Sequence, residues 1–401
     1  MQKIYKVAII GGGSAGLMSA IELLSGFDAL NGEDVVILER NDRVGKKLVA
    51  TGNGQGNLCN ENFSADFYYG EKAFINAFVE QANGINVYKY FEKLGIPLTT
   101  AKEGKIYPLS KQASAVLDIM RSCILSKGCK EITNCYVDKI TNRKDTFYIE
   151  AGSNVYQAEN VIVAVGGSSA KQFGTDGSSY KLLENFGHKT TKLYPSLVQL
   201  KTDLQQIKGL KGLKETVKVT AFDKDIPLKS ATGEILFTEY GVSGNAVFQI
   251  SSALANVEKG YINVEFLPEL SVEQIISILK IRAKTGYITQ ENYLCGILNK
   301  RIGQAVIKTI KNFSVSAVAN ALKNFKLKVT GNLGFNYSQV TKGGIETSKI
   351  NPQTYESKLQ KGLYAVGEVL NVDGDCGGYN LTFAFVSAIC SAKAIKQNLS
   401  K

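Results

Sequence analysis

The first regular pattern in the chain is a short apolar run, KVAII at residues 6–10, in which apolar and polar positions do not alternate. Such a run is typical of a strand that is buried on both faces of a parallel sheet. The next segment, GGGSAG at 11–16, is rich in glycine, and LMSAIELLSG at 17–26 has the periodicity of a helix. A second apolar run, VVILER at 35–40, predicts another buried strand that leads into an acid. The pattern therefore predicts strand, tight turn, helix and strand, which is the beginning of an α/β fold.

The rest of the chain changes pattern several times. Residues 61–130 contain helical patterns, and residues 134–167 predict a meander of short strands that returns to the sheet. From Pro195 to about Pro268 the pattern favours strands, the segment AVFQISS among them, and from Ser271 to about Phe325 it favours helices. Near the C-terminus LYAVGEVL, at 363–370, predicts a buried strand, with a glycine-rich loop and the helical segment LTFAFVSAICSAKAI after it.

The glycines after the first strand fit the spacing G-x-G-x-x-G. Gly11 would make the turn, Gly13 would let the backbone approach a pyrophosphate, and Gly16 would let helix and strand pack closely. The N-terminus of the helix would present free N–H groups and the positive end of its dipole to the phosphates. Glu39, at the end of the second strand, would accept hydrogen bonds from a ribose diol. In this context the motif predicts dinucleotide binding rather than a glycine-rich structural turn, but it does not distinguish NAD from FAD.

The segment NDRVGKKLVATGNGQGNLCN, at 41–60, narrows the choice of ligand. It carries Lys46 and Lys47 and then interleaves glycine with asparagine. A loop so rich in small and amide residues suits a backbone laid against a large flat ligand. The alternative is a flexible surface loop, although Leu48, Val49 and Leu58 would be poorly placed in a loop that faces only water.

Five segments together resemble the BaiN-like and aminoacetone-oxidase-like family of FAD-dependent flavoproteins, also called YhiN-like proteins. The resemblance covers nearly the whole chain, and its motifs are specific when taken together. The segments are ERNDRVGKKLVATGNGQGN at 39–57, EGKIYPLSKQASAVLD at 103–118, VIVAVGGSSAKQFGTDGSSYKL at 161–182, GEILFTEYGVSGNAVFQIS at 233–251 and the C-terminal stretch at 341–385.

The resemblance implies an α/β fold with a discontinuous Rossmann-like FAD-binding domain of the glutathione-reductase type. A β-rich, barrel-like domain and a small helical subdomain are inserted into it. The expected ranges are 1–194 and 341–401 for the FAD-binding domain, 195–270 and about 326–340 for the β-rich insert, and 271–325 for the helical subdomain.

The glycine motif and the resemblance together imply a set of cofactor-binding residues. Backbone N–H groups of the C-terminal helix would stabilise negative charge on the reduced ring, and the glycines of the loop before it would let the main chain approach the ring. The residues expected to bind FAD are Gly11, Gly13, Ser14, Ala15, Gly16, Glu39, Arg40, Lys46, Lys47, Thr51, Gly52, Asn53, Gly54, Asn57, Val137, Ala164, Gly166, Gly167, Gly367, Glu368, Asp373, Gly374, Gly378, Tyr379, Asn380 and Leu381.

The sequence leaves the catalytic group open, because the chain departs from the family at several positions, among them one that normally holds histidine. Glu239 stands where the family has histidine, so the candidates for a proton donor are Tyr240, Glu239 and Tyr107. No second G-x-G-x-x-G follows a strand, so either NAD(P)H docks transiently as electron donor or the electrons come from another source. Cys376 has no CxxC partner and is expected to be a small loop residue rather than a redox thiol.

Three functions are compatible with these features. The preferred prediction is an FAD-dependent oxidoreductase that is driven by NAD(P)H and passes a hydride from flavin N5 to a conjugated or electron-poor small molecule. The second is a flavin oxidase of an amine or amino ketone that uses dioxygen. The third is a flavin-bearing, RNA-associated protein, which the basic charge balance suggests.

The composition argues against a nucleic-acid partner, a metal site and a membrane span. The formal net charge is +11, with a modest concentration of basic residues between Lys300 and Lys328 that predicts a solvated helical face rather than a nucleic-acid partner. The chain has one histidine, His188, expected at the surface or in a turn, and seven cysteines without CxxC spacing, so no metal site is expected. These thiols predict a cytoplasmic protein. No membrane span is expected. The expected partner is a small-molecule substrate, and the sequence leaves the oligomeric state open.

Overall fold

The computed structural model describes residues 3–257 and 260–400, so the ends of the predicted FAD-binding domain at Met1, Gln2 and Lys401 lie outside the described residues. The chain forms two compact units. The discontinuous unit comprises the described residues up to Tyr194 and from Val340 onward, and the continuous unit runs from Pro195 to Gln339. The further predicted boundaries of a helical subdomain, at 271 and 325, stay a prediction.

Within the described residues the strands follow one another in chain order. They are β1 Ile4–Ile10, β2 Val35–Leu38, β3 Cys59–Asn60, β4 Tyr68–Gly70, β5 Leu98–Thr100, β6 Lys105–Pro108, β7 Lys130–Ile132, β8 Lys139–Arg143, β9 Thr146–Ala151, β10 Asn154–Val163, β11 Tyr194–Ser196, β12 Leu200–Thr202, β13 Lys214–Asp223, β14 Ile226–Phe237, β15 Gly241–Ser243, β16 Gly260–Phe266, β17 Phe325–Asn332, β18 Val340–Lys342, β19 Leu363–Ala365 and β20 Val372–Gly374.

The helices of the same residues are α1 Ser14–Leu23, α2 Lys46–Val49, α3 Lys72–Ile85, α4 Val87–Lys93, α5 Ala113–Leu125, α6 Lys181–Glu184, α7 Asn245–Ser251, α8 Val272–Ala283, α9 Lys300–Lys308, α10 Val315–Lys323 and α11 Tyr379–Leu399. Among the helices described, none is both long and apolar enough to cross a membrane.

The discontinuous unit is organised around a seven-stranded sheet. Strands β7, β2, β1, β10 and β19 lie side by side and parallel, and the hairpin of β8 and β9 pairs with the first half of β10. Val7, Ala8 and Ile9 of β1 are fully buried, as the apolar run predicts for a central parallel strand. The returning strand β19 is shorter than the predicted strand at 363–370, because the chain turns at Gly367, whose φ is +70°.

The continuous unit contains a closed barrel in the order β12, β15, β14, β13, β16 and β17, with β17 pairing back to β12. Side chains alternate along β13 and β16, so that Val217, Val219, Ile262 and Val264 fill the interior. Helices α8, α9 and α10 follow the barrel strands before β17. The predicted fold class, a Rossmann-type α/β domain with a β-barrel insert and a helical piece, is confirmed.

One predicted strand was wrong. AVFQISS is not a strand, because residues Asn245–Ser251 form helix α7. Its β-branched and aromatic residues favour a strand, but Ala246, Val247 and Ile250 are buried at helical spacing. The turn before the helix requires Gly244, whose φ is +104° and whose missing Cβ would lie 2.3 Å from the carbonyl oxygen of Glu234.

The single histidine is not a surface residue, contrary to the expectation. His188 is only 4% exposed, and its Nε2 lies 2.8 Å from the Oγ of Ser357. Burial lowers the pKa of the His188 imidazole. Ser357 is far along the chain, and no local pattern could indicate that it covers this ring.

Candidate functional site

The candidate site lies where the parallel strands of the discontinuous unit end. Residues 11–16 follow β1, residues 39–40 follow β2, residues 164–167 follow β10 and residues 366–368 follow β19. Because the carboxyl ends of parallel strands meet at one edge of a sheet, these four segments share that edge. β1 has β2 on one side and β10 on the other, which makes the edge between β1 and β10 the point where the strand order switches. Open α/β sheets bind their ligands at this point.

The three glycines of the motif are required for different reasons. Gly11 has φ +99°, and a Cβ there would lie 2.5 Å from the carbonyl oxygen of Ala164. A Cβ on Gly16 would lie 1.9 Å from the carbonyl oxygen of Gly11, so this glycine allows α1 to pack on the turn. At Gly13, by contrast, a Cβ would meet nothing within 4 Å, and φ is −80°. The protein itself therefore gives no reason for a glycine at position 13, whereas a pyrophosphate lying against the backbone would.

The N-termini of α1 and α11 lack capping side chains, as do those of α2, α3, α5 and α6 in this unit. Neither α1 nor α11 has a side-chain cap or an acidic residue in its first turn. The first turn of α1 lies near the second turn of α11, because a Cβ on Gly367 would lie 3.1 Å from the Cβ of Ala15 and 3.6 Å from that of Ala384. The free N–H groups and the positive dipole end of each helix favour a bound anion.

Glu39 is buried, and its carboxylate holds the turn around it. One oxygen accepts a hydrogen bond from the N–H of Gly12 at 2.8 Å, and the other accepts from the backbone N–H of Asn41 at 2.8 Å and from its side-chain amide at 2.7 Å. A carboxylate has about four acceptor positions, so capacity remains for a ribose hydroxyl. The predicted role of Glu39 thus fits the geometry and stays a prediction.

The neighbouring Arg40 is already engaged by Asp176, which lies in the segment 161–182 but is not among the predicted site residues. Its guanidinium donates to both carboxylate oxygens of Asp176, at 2.9 and 3.2 Å, and lies 4.9 Å from the ring centre of Tyr136. Burial would raise the pKa of Asp176, but the hydrogen bonds from Arg40 and Ser178 hold it well below its usual range. A role of Arg40 toward a cofactor would have to use its remaining donors.

The loop that contains Asp176 encloses a small cleft beside the end of β10. The cleft is lined by Gly166, Gly167, Gly174, Thr175 and Tyr180, with others. The hydroxyl of Tyr180 is buried in the described structure without a hydrogen-bond partner. The run GTDGSS was the available signal for this loop, because such runs mark turns, but nothing in it indicates that its partner is Arg40.

A chain of polar contacts joins three distant segments of the unit. Lys47 forms an ion pair of 2.6 Å with Glu368, whose other oxygen accepts from the N–H of Thr341 at 2.9 Å. The hydroxyl of Thr341 accepts from the N–H of Ser168 at 2.8 Å. Lys47 and Glu368 are thus brought together, and the cation makes this carboxylate tolerable beside a phosphate. Lys46 instead pairs with the exposed Asp42 at 2.5 Å.

The loop at 51–57 has an unusual backbone. Gly52, Asn53, Gly54 and Gly56 all have positive φ, between +55° and +84°. Residues 52–54 are exposed, and the hydroxyl of Thr51 donates to the carbonyl of Leu48. The side-chain oxygen of Asn57 is buried without a hydrogen-bond partner. A buried orphan acceptor costs free energy, about 1–3 kcal/mol, that the N–H of a bound ring would recover.

The glycines of the loop before α11 were expected to let the main chain approach the flavin ring, but the structure shows that they also allow close packing within the protein. A Cβ on Gly378 would lie 2.5 Å from the carbonyl oxygen of Cys59, and one on Gly374 would lie 2.8 Å from the Cβ of Tyr379. The close approach is therefore to β3 and to the first residue of α11, within the protein itself. Asn380 bridges the loop, since its amide nitrogen donates to the carbonyl of Gly374 and its oxygen accepts from the N–H of the same residue, both at 2.8 Å.

Replacing Gly378 with alanine is therefore expected to destabilise the protein even without a cofactor. The left-handed backbone, φ +99°, and the contact with Cys59 together should cost about 2 kcal/mol. Thermal unfolding of the cofactor-free variant measures the loss. Gly54→Ala is the matched control, because its φ is also positive but its nearest neighbour is 4.0 Å away. Equal losses in the two variants would contradict the role of the Cys59 contact.

The other residues that were predicted to bind the cofactor also lie in the discontinuous unit. Val137 is buried after β7, and Gly367 donates its N–H to the hydroxyl of Ser387 at 3.0 Å. Asp373 is buried in β20, which pairs with β4. Tyr379 stacks on Phe67 with ring centres 4.6 Å apart. The structure thus gathers the predicted cofactor-binding residues in the discontinuous unit, and their role toward FAD stays a prediction.

The three candidate proton donors do not fall in one unit. Tyr107 lies on β6 in the discontinuous unit, where burial raises the pKa of its phenol and where Lys105 and Cys376 act on it electrostatically. Glu239 belongs to the continuous unit, is exposed and is ion-paired with Lys211, which lowers the pKa of its carboxyl. Its neighbour Tyr240 is half-buried.

Comparisons with known proteins agree with this architecture. The family described as "HI0933-like protein Rossmann domain" matches residues 5–394. A 3-dehydro-bile acid delta(4,6)-reductase of Clostridium scindens is 34% identical, over 97% of this chain and 98% of the relative. A ribosomal RNA dihydrouridine synthase of Haemophilus influenzae is 27% identical, over 99% of this chain and 100% of the relative.

Among solved structures, a 3-ketosteroid-delta4-(5alpha)-dehydrogenase of Rhodococcus jostii covers 98% of each chain with a TM-score of 0.51. Its sequence is only 12% identical, so this likeness shows the fold alone. The predicted family, fold class and enzyme class, an FAD-dependent oxidoreductase, are confirmed by these matches. The chain belongs to the HI0933-like family, whose Rossmann domain accounts for the sheet edge, the glycine turn and the returning C-terminal strand described above.

Proposed function

We propose that the protein is an FAD-dependent reductase that saturates a carbon–carbon double bond conjugated with a carbonyl group. The observation that carries the proposal is the open space at Gly13 before the uncapped N-terminus of α1, which suits the pyrophosphate of an anionic cofactor. The 34% identity to a named reductase over nearly the whole chain supports the direction of the reaction.

The residues present fit FAD. The N–H groups of Ser14, Ala15 and Gly16, beside the open space at Gly13, would hold the pyrophosphate. Glu39 would hold the ribose, and Asn57 would accept a hydrogen bond from the ring. When bound and reduced by an electron donor, FAD would supply the hydride for the reduction. The first-turn N–H groups of α11 would stabilise negative charge on the pyrimidine side of the ring.

The names of the two relatives describe related chemistry. A delta(4,6)-reductase of a 3-oxo bile acid and a synthase of dihydrouridine both saturate a double bond conjugated with a carbonyl. Hydride adds to the carbon remote from the carbonyl, and a proton must then reach the adjacent carbon. The protein therefore needs an acid near its substrate.

We propose Tyr107 as this acid. Its phenol carries a proton at neutral pH, as any tyrosine does, although burial raises the pKa of the phenol and so weakens it as an acid. The loop at 51–57 lies beside it, since a Cβ on Gly52 would be 3.4 Å from the Tyr107 ring. Lys105, on the same strand, supplies a cation that would stabilise the phenolate after transfer.

Tyr107→Phe is expected to lower the rate of substrate reduction about 100-fold, with bleaching of the bound flavin by the electron donor unchanged. Rapid mixing measures the two half-reactions separately. Tyr88→Phe is the matched control, because this tyrosine is on α4 and outside the site. Loss of both half-reactions would mean that Tyr107 supports the cofactor rather than protonates the substrate.

The central test is the visible spectrum of the purified protein, followed without oxygen after addition of NADH or NADPH. Bands that bleach and then return on addition of a conjugated enone would support the NAD(P)H-driven reductase. Bands that bleach only with an amine or amino ketone, and return rapidly in air, would replace it with the oxidase. Absence of flavin after incubation with FAD would overturn the proposal.

A second candidate is reduction of a uridine base within RNA. It is favoured by the two relatives named ribosomal RNA dihydrouridine synthase, which are 27% and 24% identical over 99% and 97% of this chain. Incubation of the reduced enzyme with a uridine-containing RNA, followed by mass measurement, tests it. A gain of two hydrogens per modified uridine is the expected result, and enone reduction without this gain would reject it.

A further inference from the structure

The continuous unit carries most of the net positive charge of the chain. Residues 195–339 contain 18 lysines and arginines against 11 acids, a net +7 of the total +11. Between Glu291 and Gln339 the sequence contains no acid at all but seven lysines and arginines. This stretch includes α9, α10 and β17, so the charge is concentrated on one part of the unit.

An open groove of about 440 Å³ lies in the same part of the unit. It runs past the end of α9, along α10 and onto the start of β17. We call it the asparagine groove, and its polar lining residues are Gln206, Thr309, Lys311, Asn312, Asn320, Asn324 and Lys326.

The lining of the asparagine groove is cationic. No acidic side chain lines it, and within residues 3–257 and 260–400 neither Lys311 nor Lys326 has an acidic partner within 4.0 Å. Lys323, close by, is different because it is buried and pairs with Glu265 at 2.9 Å. The amides of Asn312 and Asn320 are exposed and make no hydrogen bond within the part of the chain described. Such amides can both donate and accept.

Aromatic rings adjoin the groove on the outer face of the barrel. The ammonium of Lys326 lies 5.0 Å from the ring centre of Tyr261, which stacks on Phe222 with ring centres 4.8 Å apart. These contacts hold Lys326 at the rim of the groove with its charge exposed. Phe313, next to Asn312, is 40% exposed. Cations interleaved with amides and aromatic rings suit a chain of phosphates and bases.

We propose that the asparagine groove binds single-stranded RNA. Lys311 and Lys326 contact phosphates, and the asparagine amides pair with the edges of bases. A groove of this volume holds a nucleotide or two rather than a duplex. An anionic membrane is a poorer partner, because the polar lining offers little apolar surface to a bilayer. The asparagine groove belongs to the continuous unit and the sheet-edge site to the discontinuous unit, and the proposal does not depend on the flavin chemistry.

The test uses the full-length protein and a fluorescently labelled single-stranded RNA of 20 nucleotides, with binding followed by anisotropy over a range of salt concentrations. The groove variant Lys311→Gln/Lys326→Gln is compared with Lys139→Gln/Lys349→Gln, which removes two exposed lysines of the discontinuous unit. Loss of two phosphate contacts should weaken binding about 20-fold at 0.1 M salt and reduce the salt slope by about 1.4. The control should bind like the unaltered protein.

Equal weakening in the two double variants would overturn the proposal in favour of non-specific charge attraction. Equal competition by inorganic polyphosphate of matched charge would show a phosphate site without recognition of bases, and would also overturn it. Binding to phosphatidylglycerol vesicles but not to RNA would assign the surface to a membrane. Enone reduction and thermal unfolding, measured on the same variants, should not change. This separates failure of the RNA site from failure of the reductase proposal.

Discussion

Replacing Gly16 with alanine is expected to unfold the discontinuous unit at a markedly lower temperature, whereas replacing Gly13 with alanine should leave it folded but poor in FAD. The added Cβ at position 16 would lie 1.9 Å from the carbonyl oxygen of Gly11 and 3.2 Å from the side chain of Ile9. Neither neighbour can yield easily, because one is backbone and the other lies in the central strand. The expected loss is about 3 kcal/mol or more, which corresponds to a fall in Tm of about 10 °C for a unit of this size.

Gly13 provides the matched comparison. Its backbone conformation is open to alanine, and a Cβ there would meet no protein atom within 4 Å. The cofactor-free Gly13→Ala protein should therefore have nearly the Tm of the unaltered protein, while its affinity for FAD should fall at least about tenfold because the methyl group occupies the pyrophosphate's approach. Scanning calorimetry without FAD and titration with FAD measure the two effects. Normal FAD affinity in Gly13→Ala would show that the pyrophosphate does not bind at this turn.

Much of the fold was predictable because it depends on local patterns. The apolar runs at β1 and β2 specify central parallel strands whatever the rest of the chain does. The glycine spacing then fixes the helix that follows. The exception is α7, where the preferences of valine, phenylalanine and isoleucine favour a strand but packing at helical spacing prevails. Local preference is a weak guide when a short segment lies against a barrel that forms through distant pairings.

The site was predictable in its residues but less so in their contacts. The residue types at the sheet edge follow from the chemistry of a dinucleotide, so the glycine turn and the acid after β2 could be named from spacing alone. Contacts between distant segments leave no trace in local sequence. The ion pair of Arg40 with Asp176 spans 136 positions, and the packing of Gly378 on Cys59 requires a glycine whether or not a ligand lies beside it.

Replacing Lys396 with methionine is expected to cause a loss of stability as large as that of Gly16→Ala. The ammonium of Lys396, in α11, is nearly fully buried and lies 3.1 Å from the carboxylate of Glu22 in α1 and 3.0 Å from that of Asp28. Glu22 is also buried and accepts a hydrogen bond of 2.7 Å from the hydroxyl of Tyr90. Without the lysine the buried carboxylate loses its counter-charge, which typically costs about 3–5 kcal/mol.

The test separates charge from packing. The double variant Glu22→Gln/Lys396→Met removes both charges, so it should be more stable than Lys396→Met alone, because no uncompensated charge is then buried. Lys393→Met is the control, since this lysine is exposed on the same helix and should change stability by no more than about 0.5 kcal/mol. Denaturant unfolding of the three variants measures the differences. If the double variant is no more stable than the single one, Lys396 stabilises the protein through its aliphatic packing, and α1 and α11 are joined by apolar contact. If it is more stable, the loss in Lys396→Met comes from the buried charge of Glu22, and the role of Lys396 is to neutralise that charge between α1 and α11.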